Sequence, residues 1–370
     1  ISNNSKNVKD NYIFFAFAGN KTNGNFYFNE ARENGAKILI SQEKKNKDII
    51  KLPNKDYSLI YSHLCSSFYN KKPKNIIAVT GTNGKTSVAD LFFQILRLKN
   101  IPVASIGTLG VKYKNSIIKS DLTSPDTIFL HQSLDKIKKK KIDNVIIEAS
   151  SHGLFQKRLN YLNLKAGIFT NFSQDHLDFH KTMRSYLKAK LLLFKNIILK
   201  KRSIISDKSI KEFSILKKIS KKKDLRLIDI TQTKEKILKK DLNLSEFQLK
   251  NLSMAVEAAK LCNLKEKGIL NILNKVKDVD GRLELVRNFP DGIKVYVDFA
   301  HTPDALLKSL KALGGTNISL VFGCGGNRDH KKRPLMGKIA SSYCKKIYVT
   351  DDNPRDEKPE KIRREIIKGI

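Results

Sequence analysis

The sequence is short of cysteine, of acidic side chains and of long apolar runs, and each shortage excludes something. Four cysteines (Cys65, Cys262, Cys324 and Cys344) are scattered through 370 residues with no paired spacing. That argues against a disulfide framework and against a zinc site, and it fits a reducing compartment, with the cytoplasm as the default. No apolar run approaches the roughly 18 residues a transmembrane helix needs. The longest, "LLLFKNIIL" at 191–199, is interrupted by Lys195 and Asn196, so no membrane partner is expected. The opening "ISNNSKNVKDNYIFFAF" lacks a basic region followed by a cleavage site, and no signal peptide is expected. There is no initiator Met, so the chain is expected to begin inside a longer protein.

Acidic residues number 36 against 71 lysines and arginines, for a formal net charge of +35. Such a balance admits a nucleic-acid binder. Lys greatly exceeds Arg, however, and it falls in runs such as "KIKKKK" (136–141) and "KKISKKKD" (217–224). Compact phosphate recognition favours Arg forks and interleaved aromatics. The runs therefore read better as solvated faces, and no nucleic-acid partner is expected.

Hydrophobic residues make up 40% of the chain, enough for two or three cored domains. "YIFFAFA" (12–18) and "AKILIS" (36–41) read as short buried strands with a helix near 26–35 between them. A further helix runs into a Lys/Pro linker at 71–74, a plausible boundary. Beyond it come a strand at 76–80, a glycine loop, and a helix from about 85 to 99. "NVIIEASSHG" (144–153) and "AGIFTNFSQDHLDFH" (166–180) are strands that end in polar, ionisable residues. Strands alternating with helices predict a doubly wound parallel sheet, whose ligands sit at the carboxyl ends of the strands. A third α/β unit starts near 281, with "IKVYVDFAHTPDAL", "ISLVFGCGGNRD" and "KIYVTDDNPRDE" each a strand followed by a polar loop. The expected domains are 1–73, 74–279 and 280–370, the first lacking its start and the last incomplete.

"AVTGTNGKTSVAD" (78–90) carries the clearest chemistry. It is not a strict Walker A motif, which would need glycine where Val79 stands. The parts that matter physically remain. Gly81 and Gly84 let backbone N–H groups turn inward, Lys85 offers a point charge to the β- and γ-phosphates, and Thr86 offers a hydroxyl to Mg²⁺. The following helix aims its positive end at the anion. Residues 81–87, namely Gly81, Thr82, Asn83, Gly84, Lys85, Thr86 and Ser87, are the candidate nucleotide cradle.

Together with "IIEASSHGL", "TNFSQDHLDFH", "VDFAHTPDAL", "GCGGNRDHKKRPLMG" and "TDDNPRDE", this loop resembles the Mur ligases of peptidoglycan synthesis along the whole chain. Within them it is most similar to the members that add meso-diaminopimelate to UDP-N-acetylmuramoyl-L-alanyl-D-glutamate. The resemblance implies three domains: a small α/β unit for the UDP-linked substrate, a central P-loop sheet for ATP, and a Rossmann-like unit for the amino acid. It also implies a cytoplasmic monomer active in cell-wall synthesis, and so in cell shape and division.

Glu148 closes a buried strand, where a carboxylate is costly unless it meets a cation. The resemblance makes it a Mg²⁺ ligand beside Thr86. His176 follows the next strand, and its neighbours Asp175 and Asp178 suggest a second metal site; hard Mg²⁺ prefers oxygen, so the His assignment rests on the family. The resemblance also makes Lys190, in "YLKAKLLLF", a carbamoylated metal ligand, although the sequence does not set it apart from other lysines. Asn251, Arg282, Asp298 and His301 match family ATP contacts, with helix capping the plain alternative for Asp298. Ser5, Thr123, Ser124, Ser150, Ser151, Gln156 and Arg158 match positions that contact the UDP-linked substrate. Around Ser5 the family's Asp and Arg are replaced by Asn4 and Lys6.

The resemblance makes Asp352, Asn353, Pro354 and Arg355 the motif that discriminates the incoming amino acid. Diaminopimelate differs from lysine by one extra carboxylate, and a planar Arg fork binds a carboxylate bidentately. Asn-Pro also favours a turn, and both readings hold together. Arg333 is a further candidate for the same pocket. The rivals are a lysine-adding relative, a folylpolyglutamate synthase, a basic nucleic-acid-binding NTPase, and an inactive fragment. The chain stops at Ile370, in a helix after the third strand of its last unit, and is expected to be a poor ligase by itself.

Overall fold

A computed structural model describes residues 1–19, 22–43, 47–120, 122–315 and 317–370. At its centre, among the described residues, stands an eight-stranded sheet. Its order is Arg226–Asp229, Ser203–Ser206, Leu164–Phe169, Asn75–Thr80, Asn144–Glu148, Val103–Gly107, Gly110–Tyr113 and Ser116–Ile118. The first six strands run parallel. The last two form an antiparallel extension at one edge, which no sequence signal had indicated.

Alternation along a strand assigns successive side chains to opposite faces. Ile77 and Val79 join one core with helices Lys85–Leu98 and Glu246–Lys260. Ile76 and Ala78 join the other, with helices Thr127–Lys139 and Phe213–Lys223. A sheet covered on both faces needs apolar residues at consecutive positions, which is why these strands read as unbroken hydrophobic runs.

The amino-terminal unit is a three-stranded parallel sheet of Tyr12–Ala16, Ala36–Ser41 and Ile49–Lys51. Helix Asn54–Phe68 is pinned to it by Tyr57, whose buried hydroxyl lies 2.8 Å from Ala16 O and 3.0 Å from Ile40 O. In the carboxy-terminal unit, Ser319–Phe322 and Lys346–Val349 pair in parallel. The third strand expected beside them, Lys294–Val297, pairs antiparallel with Glu284–Asn288 instead. Helices Pro303–Leu313, Lys332–Tyr343 and Pro359–Ile367 pack around Leu306, Leu310, Met336, Ile362 and Ile366. Among the described residues no helix is long and apolar enough to cross a membrane.

Candidate active site

The carboxyl ends of the central strands open into a cavity of about 340 Å³, closed on its far side by the carboxy-terminal unit. The glycine loop forms its floor. Gly81 (φ 146°) and Gly84 (φ 85°) take left-handed backbone geometry. A Cβ on Gly81 would overlap Thr170 Oγ1, and one on Gly84 would sit 2.6 Å from Asn251 Oδ1. The loop is templated by the segment after the neighbouring strand. Asn171 accepts from Asn83 N at 2.9 Å, and its amide donates to Asn83 O at 3.0 Å. Thr82 N donates to Asn171 O at 3.0 Å.

Lys85 Nζ donates to the carbonyls of Gly81 (3.0 Å) and Thr82 (2.7 Å). Opposite it, Glu148 pairs in register with Val79 on the next strand and is 1% exposed. Thr86 Oγ1 and Thr108 N donate to its carboxylate at 3.0 and 2.8 Å. Burial pushes the Glu148 carboxyl up and pulls the Lys85 ammonium down, each opposed by the charge of the other. Arg282 donates to Thr86 Oγ1 at 2.9 Å while its guanidinium stacks on Phe299, 4.8 Å from the ring centre.

Lys190 is fully buried and donates to Gly81 O at 2.7 Å, with Tyr186 beneath it. Burial, then the charge of Lys85, pulls its pKa well below the usual lysine range. His176 caps helix Leu177–His180 in left-handed geometry (φ 55°). Burial pulls its pKa down to about 3, so the imidazole is neutral at pH 7. Among the described residues no group of three or more His, Cys, Asp and Glu side chains is spaced to hold a metal. Asp175 faces Lys332 at 3.3 Å and His301 at 3.4 Å, besides His176 at 3.3 Å. The Thr86–Glu148 pair does fit a hard divalent cation, because it offers a buried carboxylate and hydroxyl beside the phosphate cradle. Among the described residues His176 Nδ1 is buried without a hydrogen-bond partner, as a ligand to a bound group would be in the group's absence.

The other expected residues divide sharply. Asn251, Asp298, His301, Thr123, Ser150 and Ser151 line the cavity. Helix Pro303–Leu313 is capped by Thr302, so Asp298 is not its cap; its carboxylate accepts from Ser309. Ser124 donates to Glu148 O at 2.7 Å and accepts from Ser150 N at 2.8 Å, a brace beneath the cavity. Arg158 is held by Ser124 O (2.6 Å) and Gln156 (2.5 Å), and neither Arg158 nor Gln156 lines the cavity. Ser5 lies outside the cavity as well, buried in the amino-terminal unit and donating to Glu30 at 2.7 Å.

At the carboxy-terminal wall, Asp352 and Arg355 face the cavity. Asn353 and Pro354 fold the loop instead, with Asn353 O accepting from Gly326 N at 2.8 Å. Arg333 does not reach the pocket assigned to it. Its side chain is 0% exposed and ion-paired to Glu357 (2.9 Å) and Glu365 (2.7 Å). Arg328, five residues earlier and not singled out from sequence, lines the cavity in its place. The signal was there, since an Arg follows the glycine pair at 325–326 in the loop after a strand, the usual ligand position in such sheets.

Residues 79–276 match the family model described as Mur ligase middle domain, and residues 281–369 the one described as Mur ligase, glutamate ligase domain. The UDP-N-acetylmuramoyl-L-alanyl-D-glutamate–2,6-diaminopimelate ligase of Rickettsia bellii (strain RML369-C) is 40% identical over 404 residues, covering 100% of this chain and 83% of its own. That of Mesorhizobium japonicum (strain LMG 29417 / CECT 9101 / MAFF 303099) is 35% identical over 99% of this chain and 82% of its own. A solved ligase of the same name superposes with TM-score 0.70 at 27% identity, covering 100% of this chain and 81% of that one. The MurF ligase from Thermotoga maritima, solved in complex with ADP, shares the fold at TM-score 0.61 and 15% identity, over 95% of this chain and 88% of that one.

Proposed function

This chain belongs to the Mur ligase family, and from that premise we propose that it joins meso-2,6-diaminopimelate to UDP-N-acetylmuramoyl-L-alanyl-D-glutamate at the expense of ATP. The observation that carries the reading is a single cavity with a phosphate cradle on its floor and two guanidinium groups, Arg328 and Arg355, on its far wall. The two ends suit a nucleoside triphosphate and an extra carboxylate respectively.

The D-glutamate γ-carboxylate attacks the γ-phosphorus of ATP, and ADP leaves. The amine of diaminopimelate attacks the resulting acyl phosphate, and a tetrahedral intermediate collapses to amide and inorganic phosphate. Two anions must meet in the first step, and this chain supplies the cations that allow it. Lys85 stands at the loop, and Arg282 reaches Thr86 from the carboxy-terminal side of the cavity. Thr86 and Glu148 would hold Mg²⁺, with His176 and a carbamoylated Lys190 as the further candidates. When bound, the ion neutralises phosphate charge. Asn251 and His301 flank the nucleotide end. Ser150 and Ser151, which line the cavity, are the candidates for contact with the UDP-linked substrate. The proposal extends to domains at 1–73, 74–279 and 280–370. It also extends to a monomer and to the cytoplasm, the latter supported by four cysteines scattered without paired spacing.

Amino-acid-dependent phosphate release tests the reading. Release with UDP-N-acetylmuramoyl-L-alanyl-D-glutamate, ATP and meso-diaminopimelate, but not with L-lysine, is expected. Equal rates with both amino acids would overturn the substrate assignment.

A further inference from the structure

Asp175 is almost fully buried, and so is Lys332, yet the two come from opposite sides of the cavity. Asp175 follows a central strand, whereas Lys332 opens helix Lys332–Tyr343 of the carboxy-terminal unit. Their ion pair spans 3.3 Å. A buried lysine in the first turn of a helix is doubly unfavourable, because it is desolvated and faces the positive end of the helix dipole. No acidic side chain sits in that first turn to offset it. The Asp175 carboxylate supplies the missing charge from the other unit, and its second oxygen faces His301 at 3.4 Å. Gln174 beside it donates to Asp329 at 2.9 Å, and Asp329 in turn accepts from Lys331 N at 3.0 Å. Two consecutive residues of the central unit thus grip the start of the helix, immediately after Arg328.

We propose that Asp175 is a positioning residue. By holding Lys332 it sets the segment 328–332, and with it the Arg328–Arg355 wall, over the glycine loop. The role rests on the ligase reading and deepens it. Asp175 governs where the incoming amino acid is held and leaves nucleotide binding to the loop. A misplacement of about 1 Å at a reacting centre costs on the order of 10²-fold in rate, which sets the size of the effect expected.

The test uses the whole chain with three variants: Asp175→Asn, Lys332→Met and the double. Lys332→Met, which leaves the Asp175–His301 contact in place, should bind a non-hydrolysable ATP analogue within about twofold of wild type, by calorimetry. In both single variants the KM for diaminopimelate should rise and the ligation rate fall, together about 10²-fold. The double variant should be no worse than either single one, because the buried charge left unpaired by each is then gone. Hydrogen exchange at residues 328–332 should quicken in both single variants. That readout involves no turnover, so it stays informative if wild-type protein releases no phosphate with diaminopimelate and the ligase reading itself fails. If Asp175→Asn does not fold, Lys332→Met carries the same readouts alone. Unchanged kinetics and exchange in a folded single variant, or losses that multiply in the double, would overturn the proposal.

Discussion

Thr86 Oγ1 donates to Glu148 Oε2 across 3.0 Å and accepts from Arg282 Nη2 at 2.9 Å, so one hydroxyl links the glycine loop, the neighbouring strand end and the start of the carboxy-terminal unit. Glu148 is 1% exposed there, a burial that is tolerable because Lys85 and Arg282 lie close and three donors, Thr86 Oγ1, Thr108 N and Thr108 Oγ1, satisfy its oxygens. Replacing it with Gln keeps the shape and removes the charge. Glu148→Gln and Lys85→Ala should each lower ATP-dependent turnover on the order of 10²–10³-fold or more while leaving the circular-dichroism spectrum unchanged. Near-native turnover in either folded variant would contradict the assignment.

Selectivity should follow the two guanidinium groups on the far wall of the cavity, Arg328 and Arg355. A charge-assisted bidentate pair lost against a buried carboxylate costs roughly 2–5 kcal/mol. Arg355→Ala or Arg328→Ala should therefore lose most of the preference for diaminopimelate over L-lysine, measured as the ratio of the two kcat/KM values. A ratio unchanged in both variants would exclude the pocket. Arg333→Met should act differently. It strands Glu357 and Glu365, so the melting temperature should fall, with no selective loss of diaminopimelate over lysine.

The contrast between Arg333 and Arg328 marks how far the sequence could be read. The glycine loop was legible because its parts are consecutive, and Glu148 because a carboxylate closing an apolar strand needs a reason. The two arginines of "GGNRDHKKRP" differ locally only in that Arg328 follows the glycine pair in the loop after a strand. Arg333 is removed from the pocket by glutamates 24 and 32 residues later in the chain. Asp175 invited a metal reading beside His176, and its partner Lys332 lies 157 residues away. The hairpin Gly110–Ile118 is not legible in the sequence because Ser116–Ile118 is exposed throughout and lacks the apolar run that marks the inner strands.

Acid should weaken the carboxy-terminal unit through the same Arg333 network. The hydrogen bond from Arg333, aided by Asn327 N and the charges of Arg333 and His330, pulls the Glu357 carboxyl from its ordinary 4.5 down to about 2. A carboxylate whose folded pKa is depressed contributes stability above its unfolded pKa and loses it as pH falls through the folded one. The contribution should be whole above about pH 4.5 and should fade toward pH 2. Glu357→Gln should flatten that part of the profile, as read by hydrogen exchange in residues 332–367. An identical slope in variant and parent would refute the linkage.

Lys190 is the residue whose chemistry the structure makes most specific. An ammonium there would be fully buried beside a second cation, Lys85, with Gly81 O as its hydrogen-bond acceptor. Burial first, and then Lys85, favours the neutral amine, which is the form that adds to carbon dioxide. The amine nitrogen bonds to the carbon and a proton is released, turning a costly cation into an anion that Lys85 stabilises and Mg²⁺ can use. With ¹³C-labelled bicarbonate the protein should therefore show a carbamate resonance that Lys190→Ala abolishes. Exhaustive removal of carbon dioxide should lower the ligation rate of the parent and leave Lys190→Ala, already slow, unaffected. A parent protein with no carbamate signal and full activity without carbon dioxide would mean that Lys190 works as the amine and that the metal is held without it.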